Sequence, residues 1–596
     1  MIGSLQKQVY DLQARLAVYE APHHQPAAPL HPPHHQHGGV HLPHVPHPLH
    51  HHHHQHHGQP APSLPSRHSP HGGSAAYPFP QHVQYAPGTT KPNHVSQDHL
   101  DRDVRAFYDH WKGKYLQEAG HCNSNGKPRY RVIMNNNGNA SVSEGQGFGM
   151  IIVAMMAGHE AKAREIFDGL FLYCKDYPSS INARNMAWKV NADGSRGGDN
   201  SAFDGDADIT YGLILAGKQW GSTGAVDYRA EALAKLEAMA SSMIGPDSKL
   251  PLLGDWVQPN STDKFSQWST RPSDFMYGHF QAFAQFDQQR RQLWESVLSA
   301  TQAVANQVQR DHASRTGLLP DFVQYDRGCG SYKPAQSGFL EGNNDGAYFC
   351  NAGRIPWRFG VHALLHGDAV AAQQAERILK WVASQGSIKA GYHLGATPPL
   401  RDGRPIGDYF STFFASPFVV AAMVAPSAQS WLNKMYDAIK HKKENYYEDC
   451  VNMLCLLTLS GNFWDPTTIG TGSAPKAIAT GHVSVAEPIQ MSSAPASSSS
   501  SSSSTHSGGD GPVAVRGSAG TEFTFLSGSN KWWLGISIPG SQAVKIDSGN
   551  GRGWREMVAG WAPGIWTYQC EGAPCGSVLR FIINNGRQEE AVACPY

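Results

Sequence analysis

The sequence predicts a mainly α protein: a toroid of paired helices, then a small all-β sandwich, with long disordered segments around them. Three observations predict it. Apolar residues recur at helical spacing through residues 98–466. Short aromatic and β-branched runs bounded by Gly, Ser and Pro follow residue 512. Two low-complexity stretches hold too little apolar surface to offset the entropy of ordering them.

The elements follow in order. In residues 1–20, Ile2, Leu5, Val9, Leu12 and Leu16 alternate three and four apart, a short coiled-coil-like seam. It is either a weak self-association helix or the end of a truncated gene model. It lacks the basic start, continuous apolar run and cleavage site of a signal peptide. Residues 21–97 are rich in His and Pro: 20 of the 32 histidines fall between 21 and 94, so the region reads as a disordered spacer that gains charge below pH ~6.5. The body, 98–466, opens with Val104, Phe107, Trp111 and Tyr115. Helical stretches then recur at Gly147–Tyr173, Ile209–Trp220, Tyr228–Ile244, Phe275–Phe286, Leu293–Val308, Trp357–Leu365, Ala371–Ser384, Phe418–Val424, Trp431–Lys440 and Cys450–Ser460. About eleven helices exceed a simple bundle. Residues 467–511, with serines throughout 497–504, read as a flexible linker. Residues 512–596 carry strand patterns at Glu522–Leu526, Trp532–Ile538, Ala543–Ile546, Trp566–Cys570 and Val578–Ile583. There Cys570 and Cys575 could close a short loop, with Cys594 left over.

Composition excludes several functions. Lys+Arg and Asp+Glu are both 48 in 596 residues, a balance that argues against a nucleic-acid partner. No run of 18 apolar residues marks a membrane span. Phosphate-loop, dinucleotide-loop and zinc-helix patterns are missing, so no cofactor or metal is expected.

With charges scarce, acids inside apolar or glycine-rich segments stand out. Glu144 lies in Ser143-Glu144-Gly145-Gln146-Gly147-Phe148-Gly149-Met150, at the start of an apolar helix. The plain alternative is a first-turn acid behind a Ser143 N-cap. Asp204, Asp206 and Asp208 alternate like a calcium loop. The sixth and twelfth positions, Ile209 and Leu215, break that pattern. Glu341 and Asp345 sit in Phe339-Leu340-Glu341-Gly342-Asn343-Asn344-Asp345-Gly346, a loop before Arg354-Ile355-Pro356-Trp357-Arg358.

These motifs resemble glycoside hydrolase family 8. The Glu144 segment is similar to the family's SEGQxxGM motif, and Ala202-Phe203-Asp204-Gly205-Asp206 to A-[ST]-D-[AG]-D, with Phe203 departing from Ser or Thr. Met186-Ala187-Trp188-Lys189-Val190, Thr270-Arg271-Pro272-Ser273-Asp274-Phe275-Met276 and Asn462-Phe463-Trp464-Asp465-Pro466 also look like family landmarks. The resemblance implies an (α/α)6 toroid and inverting hydrolysis of β-1,4 bonds. Glu144 would be the general acid, and Asp204 would hold the distorted sugar near the attacking water. The base position holds Asn351, which cannot accept a proton. A subgroup with Asn there takes its base from the preceding loop, which implies Glu341, with Asp345 as fallback. The acid and base should stand roughly 6.5–9.5 Å apart. Trp188, Tyr211, Trp256 and Trp357 are candidate sugar contacts, and Arg354 a polar one.

The tail resembles the C-terminal domain of expansins, on Asn530-Lys531-Trp532-Trp533 and Trp561. That implies a cellulose-type binding face formed by Trp532, Trp533 and Trp561. Adjacent strand residues point to opposite sides, so Trp532 and Trp533 share a face only through a twist or bulge. The expected whole is a β-1,4-glucanase acting on cellulose or lichenan, tethered to its polymer and working outside the cell or in a cell wall. A chitosanase and a non-hydrolytic wall-binding protein are the alternatives.

Overall fold

The computed structural model describes residues 74–394, 403–479, 481, 483–491 and, with short gaps, 513–594. The expected seam at 1–20, the His-rich residues 21–73, the serine run, Trp532, Trp561 and Cys570 lie outside the described residues. The chain divides into two compact units, Met1–Ser493 and Ala494–Tyr596.

Twelve α-helices lie among the described residues of the first unit. They are α1 Gln97–Tyr115, α2 Ser143–Met155, α3 Ala163–Asp176, α4 Phe203–Trp220, α5 Tyr228–Ser242 and α6 Tyr277–Phe286. The rest are α7 Arg291–His312, α8 Ile355–His366, α9 Ala369–Val382, α10 Thr412–Ala422, α11 Gln429–Ile439 and α12 Tyr446–Leu459. The single helix expected over Gly147–Tyr173 is two. Gly158 takes φ 103° between them, and a Cβ there would meet Pro78.

The helices sort by burial. Every residue of α2, α10 and α12 is buried, and all of α8 but His366. An all-round apolar helix needs neighbours on every side. The contacts supply them: α2 touches α4, α4 touches α6, and so on through α8, α10 and α12, which returns to α2. Each odd-numbered helix packs outside an even one, as α3 does on α2 and α7 on α6. These are amphipathic; α1 turns Leu100, Val104, Phe107, Trp111 and Tyr115 inward. Glycine permits the closest approach, between α2 and α4: a Cβ on Gly147 would lie 2.5 Å from that of Asp208, and one on Gly205 would strike Ser143.

Short strands decorate this unit. β1 Leu116–His121 pairs with β2 Pro128–Val132; β3 Ser141–Val142, β4 Lys189–Val190 and β5 Arg196–Gly198 form one sheet. β6 Ser269–Thr270, β7 Val323–Asp326 and β8 Ser331–Pro334 form another, and β9 Ala390–Tyr392 pairs with β10 Pro405–Gly407.

Two expected boundaries need correction. Residues 74–97 are not a disordered spacer: they form a strap across the helix C-terminal ends. Tyr77 exchanges hydrogen bonds with the Gln219 side chain at 2.7 and 2.8 Å, and Val83, Ala86 and Thr90 donate to the carbonyls of Gly461, Leu364 and Met423. Helix ends leave such carbonyls without intrahelical partners. The aromatic residues Tyr77, Phe79 and Tyr85 anchor the strap, a signal masked by the surrounding His and Pro. Residues 467–491 likewise follow the helical unit; Gln373 donates to the Gly481 carbonyl at 2.6 Å, and Arg310 pairs with Glu487 at 3.2 Å.

The second unit holds two antiparallel sheets. One runs β11 Val513–Arg516, β12 Glu522–Phe525, β13 Trp533–Ser537, β17 Ile565–Gln569, β16 Val558–Ala559. The other runs β15 Arg555–Glu556, β14 Val544–Asp547, β18 Val578–Ile583, β19 Glu589–Ala593. Phe523, Leu534 and Ile536 of the first meet Ile546, Leu579 and Phe581 of the second in one core, with Phe523 and Phe581 4.7 Å apart. Cys575 is disulfide-bonded and Cys594 is a free thiol.

Truncating Phe79 tests the strap. We expect Phe79→Ala to cost about 3 kcal/mol, the usual toll of a buried aromatic, read from urea unfolding of the full chain.

Candidate active site

The N-terminal turns of the buried helices converge. Glu144 is the second residue of α2 and Asp204 the second of α4. Arg354 ends the 3-10 turn Ala352–Arg354 that opens α8, and Ser273 lies just before α6. Phe413 of α10 stacks on Tyr447 of α12 at 4.4 Å, and a Cβ on Gly145 would strike Tyr446 of α12.

Arg354 joins them. It is fully buried, and its Nη1 donates to Glu144 Oε2 at 2.9 Å and Asp204 Oδ2 at 2.6 Å. Nη2 donates to Ser273 Oγ at 2.9 Å and Asn351 Oδ1 at 3.1 Å, and Nε to the Asn351 carbonyl at 3.3 Å. Burial alone would push Asp204 up. Arg354 and Arg271 outweigh it and hold the carboxyl down at about 2.

Asn351 carries the network onward. Its Nδ2 donates to Glu341 Oε2 at 2.7 Å, while Arg271 Nη2 pairs with Glu341 Oε1 at 3.1 Å. Both oxygens of the half-buried Glu341 are therefore oriented, and Glu144, Asp204 and Glu341 belong to one network.

Two buried aspartates shape the loops. Asp321 accepts the backbone N–H groups of Phe349, Asn351 and Ala352 at 3.1, 3.0 and 2.7 Å, setting the turn before Arg354. Asp345 accepts those of Leu340, Glu341 and Gly342 at 2.7, 3.0 and 2.9 Å. Asp345, the expected fallback base, is thus turned into its own loop, and burial pushes it up to about 6. It folds the segment that presents Glu341.

A second charged layer lies one helical turn below. Asp208 and Arg358 stand four residues after Asp204 and Arg354, on the same helix faces. Arg358 grips both Asp208 oxygens at 3.1 and 2.7 Å, and His279 meets Asp208 at 2.7 Å. Asp206 faces elsewhere, pairing with Lys235 and accepting from Met186 N–H at 3.0 Å. Burial pushes it up to about 6 against the pull of Lys235.

The expected sugar-facing aromatics divide. Trp357 is buried between Phe148 and Arg358, whose guanidinium lies 4.1 Å from its ring. Tyr211 is buried and stacks on His279 at 4.0 Å. Both side chains are enclosed by the packing of α4 and α8. Trp188 and Trp256 are half-buried. The Trp188 carbonyl accepts from Ser143 N–H at 3.0 Å, next to Glu144; Trp256 packs on Phe265, in the cluster that holds Phe339 and Leu340 beside Glu341. Phe203 fills the core against Phe280 at 6.2 Å, which accounts for an aromatic where Ser or Thr was expected. The backbone of Trp533 lies in β13. Sequence reasoning missed Arg271, Ser273 and the bridging role of Asn351. Arg271 and Ser273 were visible in Thr270-Arg271-Pro272-Ser273-Asp274, but nothing local links them to a loop 70 residues on.

The profile of Glycosyl hydrolases family 8 matches residues 104–460. A beta-glucanase from Niallia circulans is 39% identical over 394 residues, 65% of this chain and 91% of that protein. An endoglucanase from Bacillus sp. is 36% identical over 65% of this chain and 82% of its own. The apo structure of a beta-1,3-1,4-glucanase from Paenibacillus sp. X4 superposes with a TM-score of 0.60 at 38% identity, covering 65% of this chain and 99% of that one.

The Asp204–Arg354 pair predicts a pH signature. A folded-state carboxyl at about 2, below its ordinary 3.8, adds stability that is present above pH ~4 and lost as pH falls toward 2. Asp204→Asn should therefore lower stability by on the order of 2 kcal/mol at neutral pH. In urea unfolding, the gap from wild type should close between about pH 4 and pH 2.

Proposed function

The chain belongs to glycosyl hydrolases family 8, and from that premise we propose an inverting endo-acting hydrolase of β-1,4 bonds in β-glucan, on an (α/α)6 toroid. The closed order of helix contacts supports the toroid. The network linking Glu144, Asp204 and Glu341 through Arg354 and Asn351 carries the mechanism.

The roles follow from how charge is shared. Arg354 cannot neutralise two carboxylates. Asp204 has the shorter contact and holds the charge, so Glu144 is the acid left to deliver a proton to the leaving oxygen. Asp204 remains an anion beside the sugar, able to steady developing positive charge. Glu341, gripped by Arg271 and Asn351, takes the proton of a water attacking the opposite sugar face. Asn351 here supports the base in place of being one, and this favours catalysis over a protein that only binds. Trp188, whose carbonyl meets Ser143 N–H, and Trp256, in the cluster with Phe339 and Leu340, are the candidate stacking rings.

The substrate reading draws on the relatives named beta-glucanase, endoglucanase and beta-1,3-1,4-glucanase, which make lichenan the first polymer to try. The β unit is proposed as an expansin-like module that binds cellulose through Trp532, Trp533 and Trp561. Its tether would hold the catalytic unit at high effective concentration on an insoluble polymer. Such polymers lie outside the cell or in its wall, where the enzyme would act.

Reducing ends released from carboxymethyl cellulose, lichenan and chitosan test this. Wild type should cleave one or both glucans in preference to chitosan. Glu144→Gln and Glu341→Gln should each lose at least about 100-fold in kcat. Undiminished turnover in Glu144→Gln ends the proposed mechanism, and survival in Glu341→Gln alone moves the base to another acid.

A further inference from the structure

We propose that the helical unit carries a second glycan-binding groove, outside the catalytic layer and centred on Trp268. The inference rests on the glucan reading above and adds a site to it. The groove has a volume of about 600 Å³, and its walls include Asp247, Asn260, Thr262, Trp268, Arg327 and Gln490. That is within the range of small-ligand sites.

Its construction suits a sugar polymer. The half-buried Trp268 indole is braced by Tyr325 of β7 at 5.4 Å, and the Trp268 carbonyl accepts from Tyr325 N–H at 2.8 Å. Beneath it, Gln267 is buried and saturated. Its Oε1 accepts from the N–H groups of Asp247 and Ser248 at 2.7 and 3.0 Å, and its Nε2 donates to Asp247 Oδ2 at 2.9 Å and Asn260 Oδ1 at 3.1 Å. Asp247 and Asn260 are thereby held at the rim before any ligand arrives. An amphipathic ring framed by amides, hydroxyls and charges of both signs fits a neutral, hydroxyl-rich chain with apolar faces. Lys249 and Arg327 stand there with Asp247.

The groove is also well positioned. Trp268 immediately precedes β6 and lies three residues before Arg271, which grips Glu341; extended chain covers that in about 10 Å. The groove and the Arg271 that holds Glu341 are thus joined by one short stretch of chain. The far wall is Ile489–Met491, the end of the segment that follows the helical unit to the Ser-rich stretch.

The test uses the full chain. Initial rates on lichenan and on cellotetraose are compared for wild type, Trp268→Ala and Trp268→Phe, with melting temperatures recorded. We expect Trp268→Ala to lower the lichenan-to-cellotetraose rate ratio roughly two- to tenfold, the value of one aromatic contact. Trp268→Phe, which keeps a ring, should restore most of it. In affinity electrophoresis on soluble lichenan, Glu144→Gln/Trp268→Ala should bind more weakly than Glu144→Gln by a similar factor. An unchanged ratio, or an equal fall on both substrates, overturns the groove while leaving the catalytic reading intact. A wild type that cleaves neither glucan sinks that reading and the groove's ligand with it.

Discussion

One buried guanidinium organises the molecule. Arg354 is withdrawn from water, a state tolerable only if every N–H finds a partner and the charge is balanced. The Asp204 carboxylate, an oxygen of Glu144, a hydroxyl, a side-chain amide oxygen and a backbone carbonyl meet these demands. They come from α2, α4, the turn before α6 and the turn before α8. Packing four segments around one planar cation therefore sets the relative positions of Glu144 and Asp204, and the Asn351 amide extends that order to Glu341.

The helical arrangement makes the convergence affordable in physical terms. The positive ends of helix dipoles favour anions at helix N-termini, and here Glu144 and Asp204 occupy first turns. The same helices must also come close, which is why Gly147 faces Asp208 and Gly205 faces Ser143 with no room for side chains. At the opposite helix ends, exposed carbonyls would remain. The 74–97 strap meets several of them through its backbone N–H groups, and the Gln219 side chain donates to the carbonyl of Ala154. The meeting of Glu144, Asp204 and Arg354 and the closure of the unit are thus two consequences of helices that share a direction.

Reuse of the i, i+4 face adds depth beneath the site. Arg354 and Arg358 lie on one face of the chain entering α8, and Asp204 and Asp208 on one face of α4. The charged layer therefore repeats one turn down, where His279 joins it. Arg358 and His279 surround Asp208 as Arg354 surrounds Asp204, so the layer of Glu144, Asp204 and Arg354 rests on a second buried ion pair and not on a deformable apolar floor. Tyr211 and Trp357 belong to this buried interior.

Much of this was legible in the chain alone. Periodicity marked the helices because amphipathic and wholly apolar segments leave a local imprint, and the aromatic, β-branched runs of the tail did the same for its strands. The motifs around Glu144 and Asp204 stood out because acids are rare beside glycine and apolar residues. Local pattern failed where burial depends on distant partners. Trp357 and Trp188 look alike in sequence, yet one is enclosed by packed helices and the other is half-buried. Tyr77 and Phe79 were hidden in a His- and Pro-rich context until helix ends far along the chain supplied a surface for them. Composition and spacing determined the elements, and resemblance to family motifs singled out Glu144 and Asp204. Only the tertiary structure decided that Glu341 joins them while Asp345 turns away, because that choice is made by hydrogen bonds between residues tens to hundreds of positions apart.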